Sequence, residues 1–334
     1  MASAIDFRRL LLEERRRARR EARGAAASPP PASASASASA SASAPAAPPP
    51  VPPVPGEEVP PPSHLPPDVP AALRPEAHSL PPERVGEVHY VPEYLPPSFA
   101  RGLERWLLSL PEAGGGEGRA GGSGPGPGPG PGPGPGPGPG PGPGPGPAGR
   151  WTRLRHAGRR VALFDGRRIP LPPPLAEISA SLAQGGYFPA SHPPNHVLVN
   201  SYGPGGGILP HTDGPAYLDR TATASLGGDA VLRFRRRLGT DEIGLRSPGE
   251  EEDGGGSGGG GMDVLLSGGG SLVVFAGDAY SRHVHSIAEA GASGGEPLAE
   301  TTSGRCGNCP PGVVVRRDRP RISLTFRHKL EGAD

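Results

Sequence analysis

Residues 195–215 read Asn-His-Val-Leu-Val-Asn-Ser-Tyr-Gly-Pro-Gly-Gly-Gly-Ile-Leu-Pro-His-Thr-Asp-Gly-Pro. The apolar run Val197–Val199 gives way to a Pro/Gly cluster, which predicts a strand and then a turn. His211 and Asp213 follow the turn, two positions apart. On an extended chain, positions i and i+2 point to one face. An imidazole and a carboxylate can therefore reach the same point in space.

Working outward, the rest of the chain splits into two kinds of sequence. Of 334 residues, 55 are Gly and 50 are Pro, with 34% hydrophobic and 4% aromatic, totals that would normally signal disorder. The Pro/Gly excess sits in blocks, and what remains is about one domain's worth, within roughly 100–200 residues. A net charge of +1 gives no strong field toward nucleic acid or an anionic membrane. No apolar run reaches the roughly 18 residues of a membrane span. Cys306 and Cys309 are the two cysteines, too few for a four-ligand zinc site, and are expected as unpaired thiols in a reducing compartment.

Residues 1–24 carry Phe7, Leu10 and Leu11 at helical spacing beside an arginine cluster, which predicts a basic amphipathic helix. Glu13, Glu14 and Glu21 count against a transit peptide, leaving a nuclear-localisation or nucleic-acid patch, or a solvated helix. Residues 25–84, rich in Ala, Ser and Pro, read as a disordered linker that can present polyproline II to a protein partner. Residues 85–112 open the folded part, with a strand at Val88–Val91 and an amphipathic helix through Phe99, Leu103, Trp106, Leu107 and Leu110, N-capped by Ser98. The Pro-Gly repeat within 113–149 reads as a disordered insertion. From 150 to 331 the fold continues, with a helix at Leu175–Leu182 and irregular insertions at 241–261 and 291–312. Many short strands with Gly turns and no alternating long helices predict an all-β sandwich or barrel.

The closing strand places Arg321, Ser323, Thr325 and Arg327 on one face and Ile322, Leu324 and Phe326 on the other. A guanidinium fork binds carboxylates bidentately, so two arginines on one inward face suit a small dicarboxylate. A third metal ligand must come from Arg282-His-Val-His-Ser-Ile, where His283 and His285 share a face and spacing admits either. Two histidines and one carboxylate make the facial set of non-haem Fe(II) sites, with open positions for other ligands.

Asn200-x-Tyr202, Pro210-His-Thr-Asp-Gly-Pro, Tyr-Ser-Arg-x-x-His-Ser-Ile and Arg-x-Ser-x-Thr-x-Arg together resemble the AlkB family of Fe(II)- and 2-oxoglutarate-dependent dioxygenases. The likeness covers about Val85–Arg327, apart from the low-complexity insertions. It implies a mainly β, double-stranded β-helix (jelly-roll) fold with a few flanking helices. It implies His211, Asp213 and His285 as iron ligands, with His285 preferred to His283. Asn200, Tyr202, Arg321, Ser323 and Arg327 match positions that hold 2-oxoglutarate, Ser323 standing where many AlkB proteins have Asn. The implied activity consumes 2-oxoglutarate and O2 in oxidative demethylation of alkylated DNA or RNA, in the nucleus or cytoplasm. The alternatives are the same chemistry on a protein side chain, or a non-catalytic jelly-roll scaffold. One departure concerns the lid: an aromatic-Gly-Gly segment of the family is missing near His156–Arg168. Phe164 and a run of arginines (Arg153, Arg155, Arg159, Arg160, Arg167, Arg168) stand there, readable as phosphate contacts or as a solvated loop face.

Overall fold

The strands that flank the Pro-Gly blocks come together in two antiparallel sheets. The computed structural model describes residues 60–62, 64–65, 75–113, 149–154, 158–237, 261–290 and 298–332. The expected basic helix at 1–24, most of the linker and the cores of the three insertions lie outside the described residues.

The major sheet has seven strands in the order β1-β9-β6-β13-β4-β3-β2, namely β1 (Val88–Val91), β2 (Thr152–Arg153), β3 (Arg159–Asp165), β4 (His196–Tyr202), β6 (Arg220–Gly227), β9 (Gly269–Ala276) and β13 (Arg321–Arg327). The minor sheet is β5-β10-β7-β8, from β5 (Ile208–His211), β7 (Ala230–Arg236), β8 (Gly261–Leu266) and β10 (His283–Ile287). From β4 to β7 the chain alternates between the sheets, and it does so again from β8 to β10 before closing on β13. This is the winding of a double-stranded β-helix.

Alternation along β13 sorts its side chains as expected. Ile322, Leu324 and Phe326 enter a core with Ala162, Phe164, Val197, Val199, Ala222 and Ala224. Helices α2 (Pro97–Leu108) and α3 (Pro173–Gln184) cover that outer face with Phe99, Leu103, Leu107, Leu175, Ile178 and Leu182. The other face, carrying Arg321, Ser323, Thr325 and Arg327, turns toward the minor sheet. Between the sheets a second core closes one end, built on Leu232, Phe234, Met262, Val264, Val273 and Phe275.

Several expectations need correction. Ser98 does not cap its helix: the N-cap is Pro96 and Pro97 opens the first turn, as it does in α3 with Pro173. Proline is favoured there because its missing N–H would be unpaired anyway. Residues 75–84 are not linker. They form a 3-10 turn (Pro75–His78) and the one-turn helix α1 (Pro82–Val85), held because Leu80 and Val85 pack on the inter-sheet core. Upstream, Leu65 packs against the outer core and its N–H donates to Glu177 (2.6 Å).

The segment expected as an irregular insertion at 291–312 contains β11 (Ala299–Thr301), which pairs with β12 (Val314–Arg316). Glu300 pins this hairpin by accepting from the Arg233 guanidinium (2.7 Å) and the Val231 N–H (3.1 Å). In the turn between them, Cys306 and Cys309 are not free thiols but form a disulfide. Asn308 exchanges two hydrogen bonds of 2.8 Å with the Leu265 backbone, folding the turn onto β8. The cysteine Cα atoms, three residues apart in the turn, lie 5.6 Å from each other, inside disulfide range. Among the described residues, no helix is long and apolar enough to cross a membrane.

Candidate metal centre

Two backbone features bring His211 to the site. Pro210 removes a ladder donor, which is tolerated because β5 is the edge strand of the minor sheet. In the turn before it, a Cβ on Gly207 would lie 2.4 Å from the Ile287 carbonyl, so only glycine lets β5 settle against β10. His211 then stands directly opposite His285 on β10, with ring centroids 4.3 Å apart.

Asp213, just past the end of β5, completes the group. One donor atom from each of His211, Asp213 and His285 lies within 4.8 Å of the others, the one such His/Cys/Asp/Glu cluster among the described residues. The loop carrying Asp213 is held by the Tyr280 hydroxyl, which donates to the Gly214 carbonyl (2.6 Å). His283 shares the β10 face but lies opposite Arg236, and its Nδ1–H donates to the Asp278 carbonyl (2.9 Å). It stays outside the cluster.

The protonation states suit a cation. Burial pushes the His285 imidazole down to about 3, helped by His211 beside it, and burial also pushes His211 down. Both are neutral bases at physiological pH. The His211 Nδ1 faces the Leu209 carbonyl at 2.8 Å and must donate, leaving the Nε2 lone pair free. Burial works to raise the Asp213 carboxyl, but Arg327, His285 and His211 outweigh it and hold it near about 2. Arg327 Nη1–H donates to Oδ1 (3.2 Å) and the Thr221 hydroxyl to Oδ2 (2.5 Å). Such outer contacts fix a ligating carboxylate in place. Two neutral nitrogens and one carboxylate on one side of a point leave its other side open, the arrangement of a non-haem Fe(II) site.

Beside the cluster lies a buried cationic face. Register pairs Arg321 with Tyr202, Ser323 with Asn200 and Arg327 with His196, so all five expected co-substrate residues share the inner face of β4 and β13. All five are buried. Arg321 donates to the Ser225 hydroxyl (2.9 Å) and its guanidinium stands 5.6 Å from the Tyr202 ring. Burial lowers the Arg321 guanidinium to about 10. The Nε atoms of Arg159, Arg321 and Arg327 are buried with no hydrogen-bond partner. Buried donors normally have partners, so guanidiniums left with spare donors fit an anionic ligand such as 2-oxoglutarate.

Some participants were not picked out by the sequence reading. Thr221 orients Asp213, Ser225 contacts Arg321, and Tyr217 stacks under the Arg327 guanidinium at 4.4 Å. The signal for the first two was present: Thr221, Thr223 and Ser225 alternate with Ala222, Ala224 and Leu226, marking a hydroxyl-bearing face of β6. The expected arginine run is not one basic patch. Arg160 pairs with Glu112 (2.9 Å) and covers Trp151, and Arg167 pairs with Asp165 (3.1 Å). Arg159 alone of them is buried and turned inward, while Arg155 and His156 lie outside the described residues. Trp151 is fully buried, its indole N–H donating to the Leu107 carbonyl (2.9 Å).

The family model of the 2OG-Fe(II) oxygenase superfamily matches residues 148–327, which contain every strand of both sheets but β1. The chain belongs to this superfamily, within its AlkB family, and is an Fe(II)- and 2-oxoglutarate-dependent dioxygenase that uses O2. It is 31% identical over 201 residues to the "Probable RNA/DNA demethylase ALKBH6" of Danio rerio, covering 54% of this chain and 74% of that protein. Among solved structures, it aligns with OsALKBH1 at 17% identity and a TM-score of 0.31, covering 54% of this chain and 85% of the other. A prolyl-4-hydroxylase of Pseudomonas putida aligns at 15% identity and a TM-score of 0.35, covering 79% and 100%.

Proposed function

We propose that this protein oxidatively demethylates alkylated DNA or RNA, at an iron held by His211, Asp213 and His285. The observation that carries the substrate class is the likeness, over 74% of its length, to a relative named as a probable RNA/DNA demethylase. The observation that supports the iron site is the convergence of the three donors within 4.8 Å. Residues 85–112 and 150–331 make up the catalytic domain in this reading. The protein works where its substrate lies, in the nucleus or cytoplasm.

Fe(II), when bound with 2-oxoglutarate, would let O2 oxidise an N-methyl group to formaldehyde while 2-oxoglutarate is converted to succinate and CO2. The chain's own contribution is binding, orientation and exclusion of water. His211 and His285 offer neutral nitrogen lone pairs, and Asp213 offers a charge aimed by Thr221 and Arg327. Asn200, Tyr202, Arg321, Ser323 and Arg327 hold the dicarboxylate in a face already desolvated, where a charge-assisted hydrogen bond counts for more than in water. Phe275 and Phe234, 4.9 and 6.2 Å from the His285 ring, exclude water from the buried side of that imidazole. Asp213 stays ionised throughout, so no proton need leave it for a cation to bind.

The test is demethylation of N-methylated DNA and RNA oligonucleotides by the iron-loaded full chain, with formaldehyde measured against loss of the methyl mark. Formaldehyde in step with methyl loss is expected. Release of formaldehyde from methylated peptides, with none from either oligonucleotide, would assign the chemistry to protein side chains instead.

A further inference from the structure

Arg159 is a buried cation for which no described residue supplies an acid. On β3, Ala162 and Phe164 enter the outer core, so alternation turns Arg159 with Val161, Leu163 and Asp165 to the inner face. Its neighbour Arg160 points the other way and is satisfied there by Glu112 and the Trp151 ring. Arg159 is only 8% exposed, has no ion pair among the described residues, and its Nε is buried without a partner. Burying an unmatched guanidinium is costly, and such groups are normally paired.

Its place in the sheet identifies the missing anion. Register sets Arg159 directly across from Tyr202, and Tyr202 directly across from Arg321. The three therefore form one row on the inner face, with Arg159 and Arg321 two strand spacings, about 10 Å, apart. A carboxylate lying over that row receives a guanidinium fork from each side. A phosphate of a nucleic-acid backbone would be met at the rim of the cleft, whereas all three members of this row are buried.

We propose that Arg159 is a second anchor for the distal carboxylate of 2-oxoglutarate, opposite Arg321 across Tyr202. This rests on the reading that Asn200, Tyr202 and Arg321 hold the co-substrate. Its consequence is selectivity: two guanidiniums on one carboxylate make the site discriminate strongly against 2-oxo acids that lack it.

The experiment is calorimetric binding to the iron-loaded full chain without oxygen. 2-Oxoglutarate is compared with 2-oxopentanoate, the analogue without the distal carboxylate. Arg159→Gln should weaken 2-oxoglutarate binding by roughly 10- to 100-fold, the loss expected for a hydrogen bond to a charged group. Binding of 2-oxopentanoate should stay within about twofold of wild type, because the lost contact is absent from that complex. Arg159→Lys, which keeps the charge but not the fork, should fall between. Unchanged 2-oxoglutarate affinity in Arg159→Gln, or equal weakening of both acids, would overturn the assignment while leaving the pocket itself intact. A wild type that binds neither acid, with Arg321→Gln indistinguishable from it, would overturn the reading of the pocket as well.

Discussion

Acid should destabilise the metal-free protein well before its carboxylates are protonated. His196 and His285 are buried, and burial, with Arg327 beside the first and His211 beside the second, holds them down to about 4 and about 3. In the unfolded chain both titrate near about 6.5. Between those limits the unfolded chain binds protons that the folded chain refuses, so stability falls as pH falls. The contribution is intact above the unfolded value and drains away below it. At about pH 5 each histidine has cost about 2 kcal/mol, at roughly 1.4 kcal/mol per unit over about 1.5 units. The pair thus removes about 4 kcal/mol from a stability of roughly 5–15 kcal/mol. His211, pushed the same way, adds to the loss. Asp213 does not oppose it: held near about 2, it keeps its stabilising contribution until the pH drops below its ordinary value of 3.8. Urea unfolding of chelator-treated protein at about pH 7.5 and about pH 5 reads the difference directly. In His196→Gln the loss between the two should shrink by about 2 kcal/mol. Equal midpoints at the two pH values, or a loss in His196→Gln as large as in wild type, would refute the reasoning.

Other consequences are as direct. Thr221→Val removes the hydroxyl that orients Asp213 and should lower metal affinity roughly 10- to 100-fold, read by metal titration, with the fold unchanged by circular dichroism. Leu324→Ala, at a fully buried position between β4 and β6, should cost about 2–5 kcal/mol in urea unfolding. Cys306→Ser should cost at most about 2 kcal/mol, since its disulfide closes a very short loop. Reductant should lower the wild-type melting temperature but leave that of Cys306→Ser unchanged.

What could be read beforehand followed from strict alternation. The Arg-Ile-Ser-Leu-Thr-Phe-Arg strand has period two, and its apolar and polar sets fall on opposite faces of the central strand of the major sheet. His-x-Asp after a Pro/Gly turn was equally legible, because two positions on an extended chain admit few arrangements. Spacing alone did not separate His283 from His285, since both share a face; the likeness to the AlkB pattern preferred His285, and cross-strand register sets it against His211. Arg159 was lost in a run of arginines. Composition gave no hint that one member faces Tyr202 and the next faces Trp151. Cys306 and Cys309, three apart in a turn, carried a local signal in their Cys-x-x-Cys spacing, which the search for zinc partners passed over. The hairpin β11–β12 hid in an irregular stretch because the contact that pins it, Glu300 to Arg233 on β7, joins residues far apart in the sequence.

The most direct measurement is succinate formed from 2-oxoglutarate by the iron-loaded full chain, with Asp213→Asn beside wild type. Asp213 is the sole carboxylate of the cluster, and its amide counterpart keeps the shape while losing the charge that holds the metal. The expected result is succinate from wild type and none above background from a folded Asp213→Asn. Succinate from Asp213→Asn at the wild-type rate would contradict the assignment of this cluster as the iron site.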